Sequence, residues 1–378
     1  MASLKPYSFS LLVVTVLIFS ASANAKQHST LPLRFGQNGQ FKILQVADMH
    51  YADGKTTPCL DVFPDQFATC SDLNTTAFLE RVIQAEKPDL VVFTGDNIFA
   101  ADSTDAAKSL DMAFAPVVRW GIPWAAVLGN HDQESALSRE GVMQHIVQME
   151  GTVSQFNPTA RGEEIDGYGN YNVEVMGADG SRMHDKSLLN LYFLDSGDYW
   201  IVPSVSYYDW IKPSQLLWFQ RTSTKLQREY KSDLDGQREA TPGLVYFHIP
   251  LPEYASLDSS NYTGVKQEAG ISSADVNSGF FATLVEAGDV KAVFTGHDHL
   301  NDFCGDVSGI QLCYAGGFGY HAYGKAGWPR RARVVLASLK KSKEEGGWGL
   351  LESIKTWKRL DDEHLSTIHV QTLWANTT

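Results

Sequence analysis

The amino-acid sequence predicts an α/β fold with a mixed, largely parallel inner β-sheet. Apolar runs that favour β-strands alternate with segments of helical periodicity, the order expected when helices cover a sheet. Four of these apolar runs also end at residues that could bind a metal ion. Because ligands bind beyond the carboxyl ends of parallel strands, the two patterns together predict one site at a sheet edge.

The first half of the chain contains predicted strands and helices in alternation. The strands cover 41–47, 90–94 and 123–128, and the helices cover 75–86 and 105–120. The first helix is expected to stop before Pro88, because proline cannot continue the helical hydrogen-bond ladder. A long ordered loop is predicted over 51–74, and a Gly-rich, less regular segment over 140–187.

The second half continues this alternation and then changes to strands alone. Strands are predicted over 188–194, 244–247 and 290–294, and helices over 214–230 and 280–286. Later strands, expected to form a second sheet, are predicted over 310–314, 333–339, 353–357 and 368–373. No shift in composition marks an internal boundary, so residues 26–378 are predicted to form a single domain.

Residues 1–25 have the features of a secretory signal peptide. Lys5 precedes the apolar run 11–19, which the small-residue pattern ending at Ala25 follows. We predict cleavage after Ala25, with Ala23 as the alternative. A membrane anchor is disfavoured because the run is shorter than the ~20 residues that span a bilayer, and no later segment spans either. The protein is therefore expected to be secreted to the extracellular space or cell wall, or to reach the vacuole.

The net charge of −13 argues against a nucleic-acid partner, because an acidic chain repels the phosphate backbone over long range. It does not argue against a small phosphate-ester substrate, because bound metal cations would set the local field. The sequence does not indicate the oligomeric state.

The cysteines fall into two close pairs, which in a secreted protein predict the disulfides Cys59–Cys70 and Cys304–Cys313. Other connectivities are open at this point, and a zinc-thiolate site is disfavoured because no Cys-x-x-Cys spacing occurs. Glycosylation sequons begin at Asn74, Asn261 and Asn376.

Five polar blocks contain the candidate metal ligands, which are oxygen and imidazole donors suited to a two-metal hydrolase. Asp96 follows a glycine that allows a sharp turn, and one carboxylate there could bridge two cations. The candidate ligands are Asp48, His50, Asp96, Asn130, His248, His297 and His299.

Other residues in or near these blocks also have predicted roles. His131 directly follows a ligand, so its side chain is expected to contact the substrate or protonate a leaving oxygen, oriented by Asp132. His321 and Tyr323 are expected either to line the cleft or to form a plain turn. Turn or capping roles are predicted for Asp195 and Asp198, and ordinary roles for His28, His145, His184, His364 and His369.

The five blocks, in this order, resemble the calcineurin-like metallophosphoesterase superfamily, and within it the short plant purple acid phosphatases of the purple acid phosphatase 29-like group. The resemblance implies a four-layer α/β/β/α sandwich of two mixed β-sheets flanked by helices. It implies one metal at Asp48, His50, Asp96 and His299, and another at Asp96, Asn130, His248 and His297. It also implies attack on phosphorus by a metal-bound hydroxide, catalysis by His131, and substrate contacts from Asn130, His131 and His297.

One position departs from the purple acid phosphatases. Those enzymes have a tyrosine, whose phenolate binds ferric iron and gives the colour, where this chain has Phe99. His50 stands where they usually have glycine and is a candidate replacement ligand. We therefore predict a protein that is not purple, with two divalent or mixed-valence Fe, Zn or Mn ions. The N-terminal β-sandwich domain of the larger plant enzymes is expected to be absent.

The leading functional prediction is a secreted dinuclear-metal phosphatase that hydrolyses phosphate monoesters in the manner of acid phosphatases. A phosphodiesterase acting on nucleotides or lipid head groups would use the same ligands. An alternative from another functional class is a secreted glycoprotein that binds metal but has no catalytic activity. The complete ligand set argues against the silent alternative, whereas Phe99 favours it.

Overall fold

Two β-sheets form the centre of the computed structural model, which describes residues 32–158, 164–200, 208–233, 240–342 and 347–376. Within these residues the first-half strands are β1 (Leu33–Arg34), β2 (Gln40–Val46), β3 (Leu90–Thr94), β4 (Trp124–Val127), β5 (Tyr171–Met176) and β6 (Ser187–Phe193). The remaining strands are β7 (Gly243–Tyr246), β8 (Tyr262–Thr263), β9 (Val290–Thr295), β10 (Cys304–Val307), β11 (Ile310–Tyr314), β12 (Arg331–Lys341), β13 (Trp348–Leu360) and β14 (Thr367–Ala375).

Helices lie between the strands in the order expected of an α/β protein. They are α1 (Asp72–Glu86), α2 (Ala106–Trp120), α3 (Arg139–Gln148), α4 (Pro213–Asp233) and α5 (Phe280–Ala287). Helix α1 begins earlier than predicted because Ser71 and Asn74 form a capping box. The Ser71 hydroxyl accepts from the Leu73 amide, and the Asn74 side chain accepts from the Ser71 amide.

Both sheets are mixed, and each has a parallel centre. The larger sheet has the strand order β1-β5-β6-β7-β9-β11-β10-β8, in which β6, β7, β9 and β11 run parallel. The smaller sheet has the order β14-β13-β12-β2-β3-β4, in which β2, β3 and β4 run parallel. Among these parallel strands, the ones that lead into the five polar blocks are β2, β3, β4, β7 and β9.

The predicted second sheet was correct in part, because β12, β13 and β14 lie together in the smaller sheet but β11 does not. Strand β11 pairs in parallel with β9 in the larger sheet, whereas β12 pairs antiparallel with β2 and joins the C-terminal strands to the first-half strands. An alternating apolar pattern reveals that a segment is a strand but not which strand it pairs with. The segment 140–187 was also more regular than predicted, because it contains most of α3 and all of β5.

The apolar core confirms the four-layer fold class. One buried cluster includes residues of both sheets, among them Ile43 and Leu44 of β2 and Phe294 of β9, so the sheets pack face to face. The same cluster includes Phe78 of α1 and Phe114 of α2. A second cluster joins α4 and α5 to the larger sheet. Helices therefore flank a pair of mixed sheets.

Residues Pro32–Thr378 form one compact unit. The predicted signal peptide, its cleavage site and His28 lie outside the described residues, so the division into a signal peptide and one domain stays a prediction. In the described part of the chain, no helix is both long enough and apolar enough to cross a bilayer.

Candidate metal centre

The predicted metal ligands meet where the carboxyl edges of the two sheets adjoin. All of them are buried, with relative exposures of 7% or less. Strands of the smaller sheet precede some and strands of the larger sheet precede the others, so neither sheet alone supplies the whole set. The ligands follow β2 (Asp48 and His50), β3 (Asp96), β4 (Asn130), β7 (His248) and β9 (His297 and His299).

Asp96 lies at the centre of the cluster. Its Oδ2 atom is 3.1 Å from His248 Nε2 and 3.4 Å from His50 Nε2, and its Oδ1 atom accepts a hydrogen bond of 2.9 Å from the His131 amide. Gly129 makes this position accessible, because a Cβ atom there would lie 2.1 Å from Asp96 Oδ1. Asp96 therefore lies between two imidazoles, in the bridging position that the sequence predicted.

Two groups of potential ligand atoms share Asp96. In each group one atom per residue lies within 4.8 Å of all the others. Asn130 adjoins the second group through Oδ1, which is 3.1 Å from His248 Nε2. The first group contains Asp48, His50, Asp96 and His299, and the second contains Asp96, His248 and His297. The first group has the same members as the first ligand set that the family resemblance implied, and the second group matches the other set apart from Asn130, which adjoins it.

Unusual backbone conformations concentrate at this cluster. Asp48, His50, Asp96 and His297 have φ angles of 56°, 45°, 48° and 77°, in the left-handed region that residues other than glycine rarely adopt. Hydrogen bonds within the site hold this strained backbone, including one of 2.8 Å from the His297 amide to Asp48 Oδ1. Strain of this kind is typical of functional sites, where the surrounding structure enforces it.

Backbone carbonyl groups orient two of the imidazoles. His248 Nδ1 faces the Thr94 carbonyl oxygen at 2.9 Å, and His299 Nδ1 faces the Tyr323 carbonyl oxygen at 2.8 Å. Each ring can donate its Nδ1 proton to that carbonyl and keep the Nε2 lone pair for the cluster. Such contacts behind a ligand are a regular feature of histidine metal sites.

Several buried ligand atoms lack a hydrogen bond. Asp48 Oδ2, His50 Nε2 and His297 Nε2 are buried and make no hydrogen bond among the described residues. An unsatisfied buried polar group costs about 1–3 kcal/mol. Three such atoms in one cluster form the pattern expected where cations complete the coordination.

Burial dominates the electrostatics of the site. It raises the pKa of Asp48 to about 8 and lowers the pKa of His297 to about 3. It also lowers the pKa values of His50 and His299. Burial opposes ionisation of His248 too, but the neighbouring Asp96 outweighs it and raises the pKa to about 9. Without cations, the site therefore offers neutral imidazoles around a single charged pair.

His131 lies at the cleft as predicted, but the prediction that Asp132 orients it was wrong. His131 Nδ1 pairs with Glu134 Oε2 at 2.7 Å, three residues further along the chain. Asp132 is fully buried and accepts instead from the amides of Asn97, Ile98 and Gly129. Asp132 therefore braces the loop after β3, while Glu134 holds the imidazole.

Asp195 has a larger structural role than the predicted turn or capping role. It forms a buried ion pair with Arg139, whose guanidinium also donates to the carbonyl groups of Leu128 and Gly129. This ion pair therefore fixes the chain just before Asn130. Asp198 accepts a hydrogen bond of 2.9 Å from Gln133 in the same region. The sequence analysis did not single out Arg139, because nothing in its local sequence indicates a partner as distant along the chain as Asp195.

A cleft of about 280 Å³ opens above the cluster. His321 and Tyr323 both line it, so the cleft alternative applies rather than the plain turn. The Tyr323 ring stacks on His299 at a centroid distance of 3.8 Å. The sequence analysis also missed Tyr199, whose hydroxyl accepts from Asn130 at 2.7 Å, and Tyr208, whose ring packs edge-on against His297. Nothing in their local sequence marks these tyrosines.

Phe99 occupies the wall of the cleft between candidate functional imidazoles. Its ring centroid lies 4.8 Å from that of His131 and 5.5 Å from that of His50. The phenyl ring carries no atom that could bind a metal, so it contributes packing and a low local dielectric constant.

The predicted covalent features are two disulfides and three glycosylation sites. Both predicted disulfides are present, Cys59–Cys70 and Cys304–Cys313, and the second joins facing residues of β10 and β11. The sequon residues Asn74 and Asn261 are exposed and Asn376 is half-buried, which leaves their glycosylation a prediction.

The remaining histidines in the described residues lie away from the cluster. His145 pairs with Asp111 at 2.7 Å, and His184 lies 3.2 Å from Arg34 Nη1. His364 and His369 lie near the C-terminal strands, where His369 Nδ1 is 3.9 Å from Asp302.

Comparison with known proteins agrees with this geometry. The chain is 62% identical over 346 residues to "Probable inactive purple acid phosphatase 29" of Arabidopsis thaliana, and the aligned region covers 91% of this chain and 88% of the relative. Its fold is similar to that of a dimetal phosphatase from Danio rerio, with a TM-score of 0.51 and 16% identity over 89% of this chain and 99% of the other. It is also similar to the purple acid phosphatase PPD1 of yellow lupin, with a TM-score of 0.52 and 11% identity over 90% of this chain and 54% of the other.

The model of the calcineurin-like phosphoesterase family matches residues 41–301, which include every residue of the cluster. The match covers well over half of the chain and agrees with the resemblance that the ordered motifs indicated. The chain therefore belongs to the calcineurin-like phosphoesterase family.

Proposed function

We propose that this protein is a secreted, dinuclear-metal phosphatase that hydrolyses phosphate monoesters. The observation that supports it most is the pair of buried ligand groups that share Asp96 at the base of an open cleft. A carboxylate shared in this way is suited to two cations about 3.5–4 Å apart, the spacing of two-metal phosphatases.

The donor set fits such a metal pair. Its oxygen and imidazole atoms suit Zn, Mn or Fe, and the unpartnered atoms of Asp48, His50 and His297 would gain partners. The neutral imidazoles keep their lone pairs available, and no lysine or arginine among the described residues forms an ion pair with Asp48 or Asp96. When bound, the cations would polarise the phosphoryl group and acidify water.

His131 would act on the leaving group. Its Nδ1 atom is taken by Glu134, so Nε2 is the ring nitrogen left to protonate the departing oxygen. Asn130 would contact the phosphate through its amide, held at the other side by the Tyr199 hydroxyl. His297 borders the same cleft and would complete the substrate contacts.

A catalytically silent metal-binding protein is the second candidate. The word "inactive" in the name of the Arabidopsis relative and the phenylalanine at position 99 favour this candidate. The complete, buried ligand set favours the enzyme. A phosphodiesterase would share all of these groups, so the substrate must decide between the two esterase activities.

Metal analysis combined with two substrates separates these candidates. We expect about two equivalents of metal in the purified protein, with turnover of an aryl phosphate monoester. Preferential turnover of the aryl phosphate diester would identify the diesterase, and bound metal without turnover of either ester would identify the silent protein. Asp96→Asn should lose both metal and activity, whereas Asp185→Asn, at an exposed carboxylate outside the site, should keep both.

The absence of a phenol at position 99 gives a spectroscopic expectation. The iron-loaded protein should lack a visible tyrosinate-to-iron charge-transfer band, because the Phe99 ring offers no oxygen ligand near His50 and His131. A visible band of this kind in the wild-type protein would contradict the assigned ligand set.

We also propose that the chain enters the secretory pathway and is glycosylated at Asn74, Asn261 and Asn376. Expression in eukaryotic cells should release a protein that begins at Lys26 and loses mass when N-glycans are removed. Retention of residues 1–25 in the recovered protein would contradict this proposal.

A further inference from the structure

A groove of about 140 Å³ adjoins the metal cleft. We call it the flank groove and define it by Asp61, Phe63, Tyr320, Lys325, Trp328 and Arg330. Leu60 and His321 line the cleft, and their chain neighbours Asp61 and Tyr320 line the groove. A ligand whose phosphate occupies the cleft could therefore extend directly into the groove.

The wall between the cleft and the groove is firmly held. The disulfide Cys59–Cys70 closes the loop that carries Phe63. The Leu60 amide donates to the Tyr320 carbonyl oxygen at 2.8 Å, and the Arg330 guanidinium donates to the Leu60 carbonyl oxygen at 3.0 Å. Because these contacts already fix the loop, binding would incur little of the entropic cost of ordering it.

The loop exposes an unusual amount of apolar surface next to the cleft. Leu60, Phe63 and Phe67 have relative exposures of 41%, 49% and 52%. On the facing side, the Trp328 ring is held by the Arg331 guanidinium 3.5 Å above it. Contiguous exposed apolar surface at the mouth of a site indicates a binding surface.

The charged side chains of the groove differ in whether they have a partner of opposite charge. Asp361, which also lines the groove, forms an ion pair with Arg81 and accepts a hydrogen bond from the Tyr320 hydroxyl. Asp61 accepts from the Gly324 amide at 2.9 Å.

The two basic groups face only neutral acceptors. Arg330 donates to carbonyl oxygens of Leu60, Ala322 and Tyr323, and Lys325 donates to the side chain of Gln267. Neither base forms an ion pair with a carboxylate among the described residues. Lys325 and Arg330 therefore bring positive charge to the groove, which Asp61 offsets in part through its attraction for Arg330.

We propose that the flank groove binds the peptide segment next to a phosphorylated residue, so that the substrate class of this site is phosphoproteins. Phe63 and Trp328 would contact an apolar side chain of that segment, and Lys325 and Arg330 would attract an acidic one. This inference rests on the proposed function, because it places the phosphate of the same ligand in the metal cleft.

A peptide fits these features better than a lipid bilayer does. Asp61 and Asp65 lie on the same loop as the exposed aromatic side chains, and their charges oppose insertion into an anionic membrane. The Arg330 side chain is buried at the base of the groove, where a narrow segment can approach it but a flat surface cannot.

Binding to labelled peptides tests the proposal independently of catalysis. The full chain, loaded with zinc, is titrated into a fluorescein-labelled phosphoserine peptide flanked by phenylalanine and glutamate. The comparison ligands are the same peptide with glycine flanks, the unphosphorylated peptide, and vesicles of anionic phospholipid. The variants are Phe63→Ser and Lys325→Glu, matched by Trp120→Ser and Lys355→Glu at exposed positions outside the groove.

We expect Phe63→Ser and Lys325→Glu each to weaken binding of the flanked peptide by about tenfold. The Lys325→Glu effect should diminish at high salt, and the matched variants should bind like the wild type. Equal affinity for the glycine-flanked peptide, or unchanged binding by both groove variants, would overturn the proposal. Groove-dependent binding of vesicles in place of the peptide would overturn it as well.

Turnover of an aryl phosphate, measured on the same preparations, separates this result from the proposed function. Aryl phosphate does not reach the groove, so both groove variants should hydrolyse it at the wild-type rate. Groove-dependent peptide binding without any turnover would keep the binding inference and reject catalysis.

Discussion

Two buried polar clusters of this protein differ in the source of the positive charge that balances their carboxylates. At Asp302, both carboxylate oxygens have basic partners from the chain, Arg331 Nη1 at 2.5 Å and Lys358 Nζ at 2.9 Å. At the candidate metal centre, imidazoles are the ion-pair partners of Asp48 and Asp96 among the described residues, and three ligand atoms make no hydrogen bond. The fold thus supplies basic side chains to the carboxylate of Asp302 and leaves those of Asp48 and Asp96 available to cations from outside.

The largest expected effect on stability is at Asp302. Asp302→Asn should lower the free energy of unfolding by about 3–5 kcal/mol, because it leaves Arg331 and Lys358 buried without a carboxylate. Urea denaturation measures this change, and Asp185→Asn, at an exposed carboxylate, serves as the control. A cost below about 1 kcal/mol would show that the two clusters do not differ in the way described.

The same ion cluster should give a defined pH dependence. Burial favours the neutral acid, but Lys358 and Arg331 outweigh it and hold the pKa of Asp302 below its usual value. The folded state therefore binds this proton less readily than the unfolded state. The stabilisation is present at neutral pH and is lost as pH falls below the ordinary aspartate range. In Asp302→Asn this part of the acid transition should disappear from pH-dependent unfolding curves.

His131 tests the chemistry of the metal centre without disturbing its ligands. His131→Ala should lower the rate of monoester hydrolysis ~10²–10⁴-fold while the metal content stays unchanged. His145→Ala is a matched control, because His145 also pairs with a carboxylate at 2.7 Å and is about as exposed as His131. A rate loss as large in His145→Ala would point to a general effect on the fold.

Added metal should stabilise the centre that lacks internal cations. At a concentration of 100 times the dissociation constant, a divalent ion should add about 2.7 kcal/mol per site to the free energy of unfolding. Thermal unfolding with zinc or manganese, against a chelator, measures the shift. Asp96→Asn should abolish most of it and Asp302→Asn should keep it. An equal shift in the two variants would contradict the assignment of the cation site.

The smallest expected effect is at Asp48 in the metal-free protein. Asp48→Asn should change the free energy of unfolding by less than about 1 kcal/mol, because Asp48 has no lysine or arginine partner to orphan. The same variant should lose metal binding. A cost similar to that of Asp302→Asn, measured in chelator, would show that Asp48 stabilises the fold by itself.

The sequence revealed the ligands because the strand ends are marked locally. Each apolar run stops at a polar block, and parallel strands bring their carboxyl ends to one edge, so Asp48, Asp96 and His248 were predictable without coordinates. Glu134 was less visible, since its contact with His131 depends on the path of one loop. The Arg139–Asp195 ion pair joins residues far apart in the chain, and no local pattern encodes such a contact.

The sequence by itself determined the fold class, the candidate metal ligands, the paired cysteines and the missing phenol at position 99. These depend on the spacing and chemistry of residues close together in the chain. Only the tertiary structure decided that β12 joins the C-terminal strands to β2, that Glu134 rather than Asp132 holds His131, and that a groove with two basic side chains adjoins the cleft. Those features arise from packing between distant segments, where many pairings satisfy the same hydrophobic pattern and the whole fold selects one.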